Sequence, residues 1–485
     1  MAAAAQDAKG RNLPGKWLLP LQNTTQQPAL QSLTQRQTRQ QLFDQSWTRA
    51  EKGDANDTRA VISKIAKLRA EKAALLGYPT YAGYVLANQM AKTPETVLGF
   101  MGQLVAPTRA KALVEGRDIQ AVIDKDGKPF PLSPADWDRY AEKVRMARFD
   151  LDESEIKPYF ELNNVLQNGV FYAANQLYGI TFKPRPDLPV YQPDVKVFEV
   201  HDKDGSVLGL FYFDYFKRDN KAGGAWMSEF VGQSKMMGTK PVVYNVANFT
   251  KPAPGQPALL TFDDVTTMFH EFGHGLHGLF ANQVYPTLSG TNVARDFVEF
   301  PSQFNEHWAL DPKVFANYAV NYKTGAPMPA PLVAKIKQAA KFNQGYALGE
   351  LIAAAELDMQ WHALPATAPK QDVDAFESKA LAMTGLDVAH VPPRYRSSYF
   401  QHIWSGGYAA GYYGYLWTQM LANDSFSWFM AHGGLTRANG DRFRDLVLSR
   451  GHSQDYDVMF RAFYGKDPDI APMLQDRGLA PGPAR

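Results

Sequence analysis

The sequence predicts a mainly α-helical fold with a small β-sheet, and three observations predict it. Long stretches on both sides of the middle carry apolar residues at helical spacing. Between residues 184 and 263 the pattern changes to short β-branched and aromatic runs separated by turn residues. That change ends where an amphipathic stretch carrying His270-Glu271-Phe272-Gly273-His274 begins. The chain has 485 residues, 45% hydrophobic and 21% charged, enough for a large core and too long for one simple domain. A net charge of +2 calls for neither a nucleic-acid partner nor an anionic membrane surface. Cysteine is absent, which excludes disulfides, thiol catalysis and Cys-ligated metal and leaves histidine and carboxylate as ligands.

In chain order, residues 1–20 are expected to be a disordered start. Met1 to Lys9 has no basic flank followed by an apolar core, so it is not a secretory signal. No run approaches the roughly 18 apolar residues of a membrane span. Residues 21–183 form a helical region, with Val61, Ile62, Ile65, Leu68 and Leu75 as the apolar stripe of one helix over 57–76. Helices over 93–114, 134–149 and 160–178 repeat the idea, and the charges among them are solvated faces. Residues 184–263 form the small sheet: strands over 195–200 and 207–215 flank the turn Asp202-Lys203-Asp204-Gly205, and 241–249 is a third strand. An edge strand of such a sheet has unpaired backbone groups that a further strand can join, and the loop Lys221 to Trp226 stands where it could cover that edge; the alternative is a plain structural sheet and loop. Residues 264–480 complete one unit with the regions before them rather than an independent domain. Helices span 330–361 and 372–383, then Pro392 to Tyr399 is a turn rich in donors. Ser405-Gly406-Gly407 is a flexible segment, and Tyr408, Tyr412 and Tyr415 follow on one helical face. Residues 481–485 fray.

His270 and His274 lie four apart, about one helical turn, so their imidazoles project from one face and can close on one zinc. Glu271 beside them is placed to take a proton from a metal-bound water. Asp263 or Thr261 caps the helix start. Gly273, Gly275 and Gly278 each cost about 1 kcal/mol relative to Ala inside a helix, which implies that another backbone or a ligand comes close there. His277 falls on nearly the same face and is a rival ligand. The bland reading of the same residues is a helix with two surface histidines.

Two histidines leave zinc short of the three protein ligands that catalytic sites use. The third candidate lies in Asp296-Phe297-Val298-Glu299-Phe300-Pro301-Ser302-Gln303, where a carboxylate stands just before a helix over 301–310. Glu299 is 29 positions beyond His270, enough for a loop and a second helix to return to the metal. Asp296 and Glu306 are rivals, and all three are otherwise helix-start acids or surface charges.

These two motifs, with Phe400-Gln401-His402 and Gly406-Gly407-Tyr408 through Trp417 downstream, resemble the thimet oligopeptidase family of zinc peptidases. The similarity extends from about Leu19 to Leu479. Within the family, Ile403-Trp404-Ser405-Gly406-Gly407 is similar to the bacterial peptidyl-dipeptidase branch, with one more residue between His402 and Tyr408 than the endopeptidases carry. Members have a further N-terminal helical portion, and this chain begins inside their pattern. The resemblance implies a zincin-like, helical two-lobed peptidase with a deep substrate channel, acting in the bacterial cytoplasm, with the periplasm as alternative. It implies one zinc per chain, held by His270, His274 and Glu299, with Glu271 as base. Tyr408, Tyr415 and His402 match positions that stabilise the oxyanion or orient the peptide; removing one such donor costs about 3–4 kcal/mol in barrier. Tyr412, Arg394, Gly406 and Gly407 are the expected peptide contacts. Short peptides are the expected partners of a monomer that releases dipeptides from a free C-terminus. The terminal carboxylate then binds roughly 7 Å beyond the metal, at about 3.3 Å per extended residue, where Arg394, Arg396, Tyr399 and Tyr412 are candidate donors. Internal cleavage by the same zinc site, and a zinc- and peptide-binding half with little turnover, are the alternatives.

Overall fold

Helical periodicity is realised in Arg59–Leu75, Pro94–Lys125 and Trp137–Phe149 of the computed structural model. The structure describes residues 2–479 apart from 20, 22–24, 219 and 254. The first of these helices buries a different face from the one expected. Ile62, Ala66, Ala70 and Ala73 are inside, whereas Val61, Leu68 and Leu75 are 57%, 53% and 89% exposed. Small side chains decided the face, because they let Ile62 and Ala66 pack against the rings and stems of Trp361 and Val373. Ala2–Gly10 is helical where an unstructured start was expected, in keeping with the helix propensity of its four leading alanines. The stretch 330–361, expected to be continuous, is two helices, Ala330–Ala339 and Gln344–His362, broken where Asn343 takes a φ of 59°.

The chain divides into two compact units, each discontinuous in sequence. One comprises Met1–Tyr81, Leu98–Arg148 and Asn343–Gly407, the other Ala82–Val97, Phe149–Phe342 and Tyr408–Arg485. The regions 21–183, 184–263 and 264–480 are therefore stretches of chain that these units cut across.

The second unit holds a mixed sheet of five strands: β1 (Thr181–Pro184), β2 (Lys196–His201), β3 (Val207–Phe216), β4 (Trp226–Val231) and β5 (Val242–Phe249), in the order β1-β2-β3-β5-β4. The expected hairpin is β2–β3, and β3 runs parallel to β5. β1 and β4 were not foreseen. Trp226, placed in a loop by its glycine-rich approach, opens β4, which pairs with β5 and forms an edge of the sheet.

One face of this sheet supports the helix Phe262–Leu279, which carries His270-Glu271-Phe272-Gly273-His274, the HExxH residues. Thr261 caps it in a reciprocal box with Asp264, each side chain accepting from the other's backbone N–H at 3.0 and 2.9 Å. Phe272 anchors it among Phe171, Phe182 and Phe211. The helix glycines have the close neighbours their cost implied. A Cβ on Gly278 would lie 2.6 Å from Met227 of β4 and 2.9 Å from Val243 of β5. A Cβ on Gly273 would meet the Pro301 carbonyl and the Ser302 Cα at 2.7 Å. The glycine surface thus lets the helix Phe300–Glu306 approach closely, and Asn305 locks the pair by donating to the Phe269 carbonyl at 2.6 Å.

Candidate metal centre

Two adjacent helices bring the candidate ligands together. His270 and His274 project from one face of Phe262–Leu279, their rings 5.0 Å apart and nearly perpendicular. Glu299 sits at the junction between the short helix Arg295–Val298 and Phe300–Glu306, with Pro301 in the first turn of the latter. Its Oε2 lies 3.0 Å from His274 Nε2 and 3.3 Å from His270 Nε2. One donor atom from each of the three lies within 4.8 Å of the others. Burial alone would raise the Glu299 carboxyl, but His274 and His270 outweigh it and hold it well below its ordinary range. Two imidazoles and an ionised carboxylate converging in this way are a donor set that suits zinc.

The neighbours of the three are themselves specific. His270 Nδ1 pairs with Glu306 Oε1 at 2.6 Å, which turns Nε2 toward Glu299. Ser302 Oγ lies 2.8 Å from the Glu299 carbonyl and 3.2 Å from its Oε2. Tyr408 donates to Glu299 Oε1 at 3.0 Å. Such supporting bonds fix ligand orientation. Glu271 is 4% exposed, and its Oε2 has no hydrogen-bond partner among the described residues. Burial pushes its carboxyl up, with His270 and His274 opposing. A buried acceptor left open beside a metal-capable cluster is what a proton-accepting base requires before water or substrate arrives.

The rival ligands separate cleanly. Glu306 supports His270 from behind. Asp296 is fully buried and accepts from the Met90 and Ala91 N–H groups and the Tyr413 hydroxyl, at 2.9, 2.8 and 2.7 Å. His277 is fully buried, lies outside the three-residue cluster among the described residues, and has no partner at either ring nitrogen. Burial, with His274 adding to it, pushes His277 down to about 3.

The tyrosines do not share a helical face. Tyr408 to Tyr413 is a run of turns, and the helix begins only at Gly414. Ala410 adopts a φ of 52°, which interrupts any helix there. The turns nevertheless bring Tyr408 and Tyr415 into a ring stack at 5.4 Å, with Tyr412 packed on Tyr415 at 5.2 Å. Burial, and then the Glu299 charge, push the Tyr408 and Tyr415 hydroxyls upward, so both are protonated donors at neutral pH. Sequence reasoning missed Arg295, whose guanidinium lies 4.8 Å from the Tyr408 ring, and the Asp296–Tyr413 bond.

The remaining candidates belong to the other unit. His402 is on the short helix Gln401–Trp404, its ring 5.1 Å from that of Tyr395. Gly406 packs close to the His402 backbone, and Gly407 is left-handed at φ 82°, marking the last residue of that unit. Arg394 pairs with Glu350 at 2.7 Å. Arg396, 10% exposed, sits among Glu51, Asp374 and Glu377.

Comparison with known proteins bears on the whole chain. The model of peptidase family M3 matches residues 29–479. The dipeptidyl carboxypeptidase of Escherichia coli (strain K12) is 58% identical over 99% of this chain and 70% of its own length. Oligopeptidase A of the same organism is 36% identical over 99% and 71%. Among solved structures, the M32 carboxypeptidase from Deinococcus radiodurans R1 superposes with a TM-score of 0.53 at 14% identity, over 91% of this chain and 83% of that one. That likeness supports the mainly helical fold. The family match covers both histidines, Glu299 and the tyrosine turn, and with it the resemblance read from three separated motifs is confirmed: the chain belongs to peptidase family M3 and is a metallopeptidase.

Proposed function

We propose that this peptidase holds one zinc ion through His270, His274 and Glu299 and releases dipeptides from the free C-terminus of short peptides. The observation that carries the reading is the convergence of those three donors beside Glu271, a buried carboxyl with one oxygen unpartnered among the described residues. The 58% identity to a dipeptidyl carboxypeptidase supports the choice of product. Zinc bound there supplies Lewis acidity to the scissile carbonyl and acidifies water. Glu271 takes the proton from the attacking water and returns it to the leaving amine. Tyr408 and Tyr415 supply hydroxyl donors to the developing oxyanion, and His402 is assigned to the same task by its family position. The outer edge of β4 offers backbone groups for an extended peptide, next to the strand that the HExxH helix packs on. Tyr412, Gly406 and Gly407 are assigned to the peptide. Arg394 is assigned to its carboxylate end, although Glu350 already offsets that charge.

No helix among the described residues is long and apolar enough to cross a membrane. A monomer working in the bacterial cytoplasm is part of the proposal. The test is mass-spectrometric product analysis on a matched pair of peptides. The one with a free C-terminus should lose dipeptides successively, and its C-terminally amidated twin should be cut far more slowly. Equal internal cleavage of both would replace this reading with an endo-oligopeptidase, and zinc binding without products would leave a binding module.

A further inference from the structure

Asp296 is the most heavily committed carboxylate near the metal centre, yet it touches neither a candidate ligand atom nor a reacting group. It is fully buried in the short helix Arg295–Val298, three residues before Glu299. Its Oδ1 accepts from Met90 N–H at 2.9 Å. Its Oδ2 accepts from Ala91 N–H at 2.8 Å and from the Tyr413 hydroxyl at 2.7 Å. Tyr413, also fully buried, closes the turn that begins at Tyr408. That turn is held by Gly411 N–H donating to the Tyr408 carbonyl at 2.9 Å and Gly414 N–H to the Gly411 carbonyl at 3.0 Å. It is pressed onto the same short helix: a Cβ on Gly414 would stand 2.8 Å from the Arg295 carbonyl. Ala410, inside the turn, takes a left-handed φ of 52° that a non-glycine residue holds only where its surroundings over-determine it.

We infer that Asp296 is a positioning residue that sets Glu299 and Tyr408 relative to one another, by clamping the turn Tyr408–Tyr413 through the Tyr413 hydroxyl onto the helix that leads into Glu299. The inference rests on the proposed roles of Glu299 and Tyr408. Its chemistry is geometric. A carboxylate with three donors in fixed directions allows little rotation, so the two chain segments that bring Tyr408 and Glu299 within 3.0 Å share one anchor. Gln303 fastens the far side of the turn by donating to the Tyr415 carbonyl at 3.0 Å. With the Tyr413 link removed, the turn keeps the Gln303 fastening but loses its bond to the helix that leads into Glu299.

Tyr413→Phe deletes one hydroxyl and leaves Asp296 with both backbone donors. At saturating zinc its kcat for dipeptide release should fall by roughly tenfold, the scale seen when an orienting bond behind a site is lost, with KM little changed. The decisive readout is a double-mutant cycle with Tyr408→Phe. If Tyr413 acts through Tyr408, the double variant loses no more kcat than Tyr408→Phe alone. Independent, multiplying losses would overturn the inference, as would a silent Tyr413→Phe. If Tyr408→Phe is itself silent, the proposed role of Tyr408 falls, and a loss in Tyr413→Phe then refutes the clamp as well. Asp296→Asn, which turns a donor toward one of the backbone N–H groups, should weaken zinc retention against a chelator by roughly tenfold. Wild-type retention in folded Asp296→Asn, judged by its melting curve, would remove the Glu299 half of the inference.

Discussion

Gly273→Ala puts the contact between the HExxH helix and the helix that follows Glu299 to a direct test. The new methyl would stand 2.7 Å from the Pro301 carbonyl oxygen and from the Ser302 Cα, and 2.9 Å from the Asn305 Cβ. Two of those three atoms are backbone, so no rotamer change relieves them. Opening the gap to ordinary contact at 3.4 Å moves the helices apart by about 0.7 Å. Alanine returns about 1 kcal/mol of helix propensity, against an overpacking cost of about 1–3 kcal/mol, so global stability should fall by no more than about 2 kcal/mol. The metal is far less tolerant, since ligand distances hold within about 0.2 Å, and Pro301 is two residues from Glu299. Zinc affinity, measured by competition with a chelator, should therefore fall by roughly tenfold or more, while the melting temperature of the metal-free protein moves modestly. Unchanged zinc affinity in the variant would refute the claim that Gly273 sets the approach of Glu299.

Glu271→Gln should retain zinc and fold yet lose nearly all turnover, because an amide neither accepts nor returns the proton; a residual rate above about a tenth of wild type would point to another base, such as Glu306. His270→Ala and His274→Ala should abolish stoichiometric zinc in a metal assay, whereas His277→Ala should keep it, and the opposite pattern for His274 and His277 would reassign the chelate. Asp424 tests the packing away from the site. Burial lifts its carboxyl from 3.8 to about 7, opposed by the Asp469 N–H and the Tyr464 hydroxyl. The folded state therefore holds a proton that the unfolded chain releases above about 4, and stability is lost as the pH rises through that window to about 7. Asp424→Asn should gain on wild type in Tm between pH 5 and 8, and a constant difference across that range would contradict the assignment.

Much of the site was legible because it is local. The i, i+4 histidines, the Thr261 cap and the helix-breaking cost of Gly273 and Gly278 are all written within one turn or two. The third candidate ligand was legible as one of three acids, and the distances that group Glu299 with the two histidines, which no spacing contains, are what favour it over Asp296 and Glu306. What stayed hidden depends on partners far along the chain. β4 begins just after a glycine pair that reads as loop, and it becomes a strand because β5 pairs with it. The tyrosines at i, i+4 and i+7 fit a helix, but Ala410 is left-handed and Tyr413 is bonded to Asp296, far away in the chain. The face buried by Arg59–Leu75 was misread because its buried positions include Ala66, Ala70 and Ala73, and alanine is a weak signal of hydrophobicity.

The central claim is that one zinc ion sits among His270, His274 and Glu299. Diffraction from zinc-loaded crystals on either side of the zinc absorption edge tests it most directly. The account predicts one anomalous peak bonded to Nε2 of both histidines and to the Glu299 carboxylate, with His277 unligated. A peak shared by His274 and His277, or one bound by Glu306 or Asp296 in place of Glu299, would contradict it.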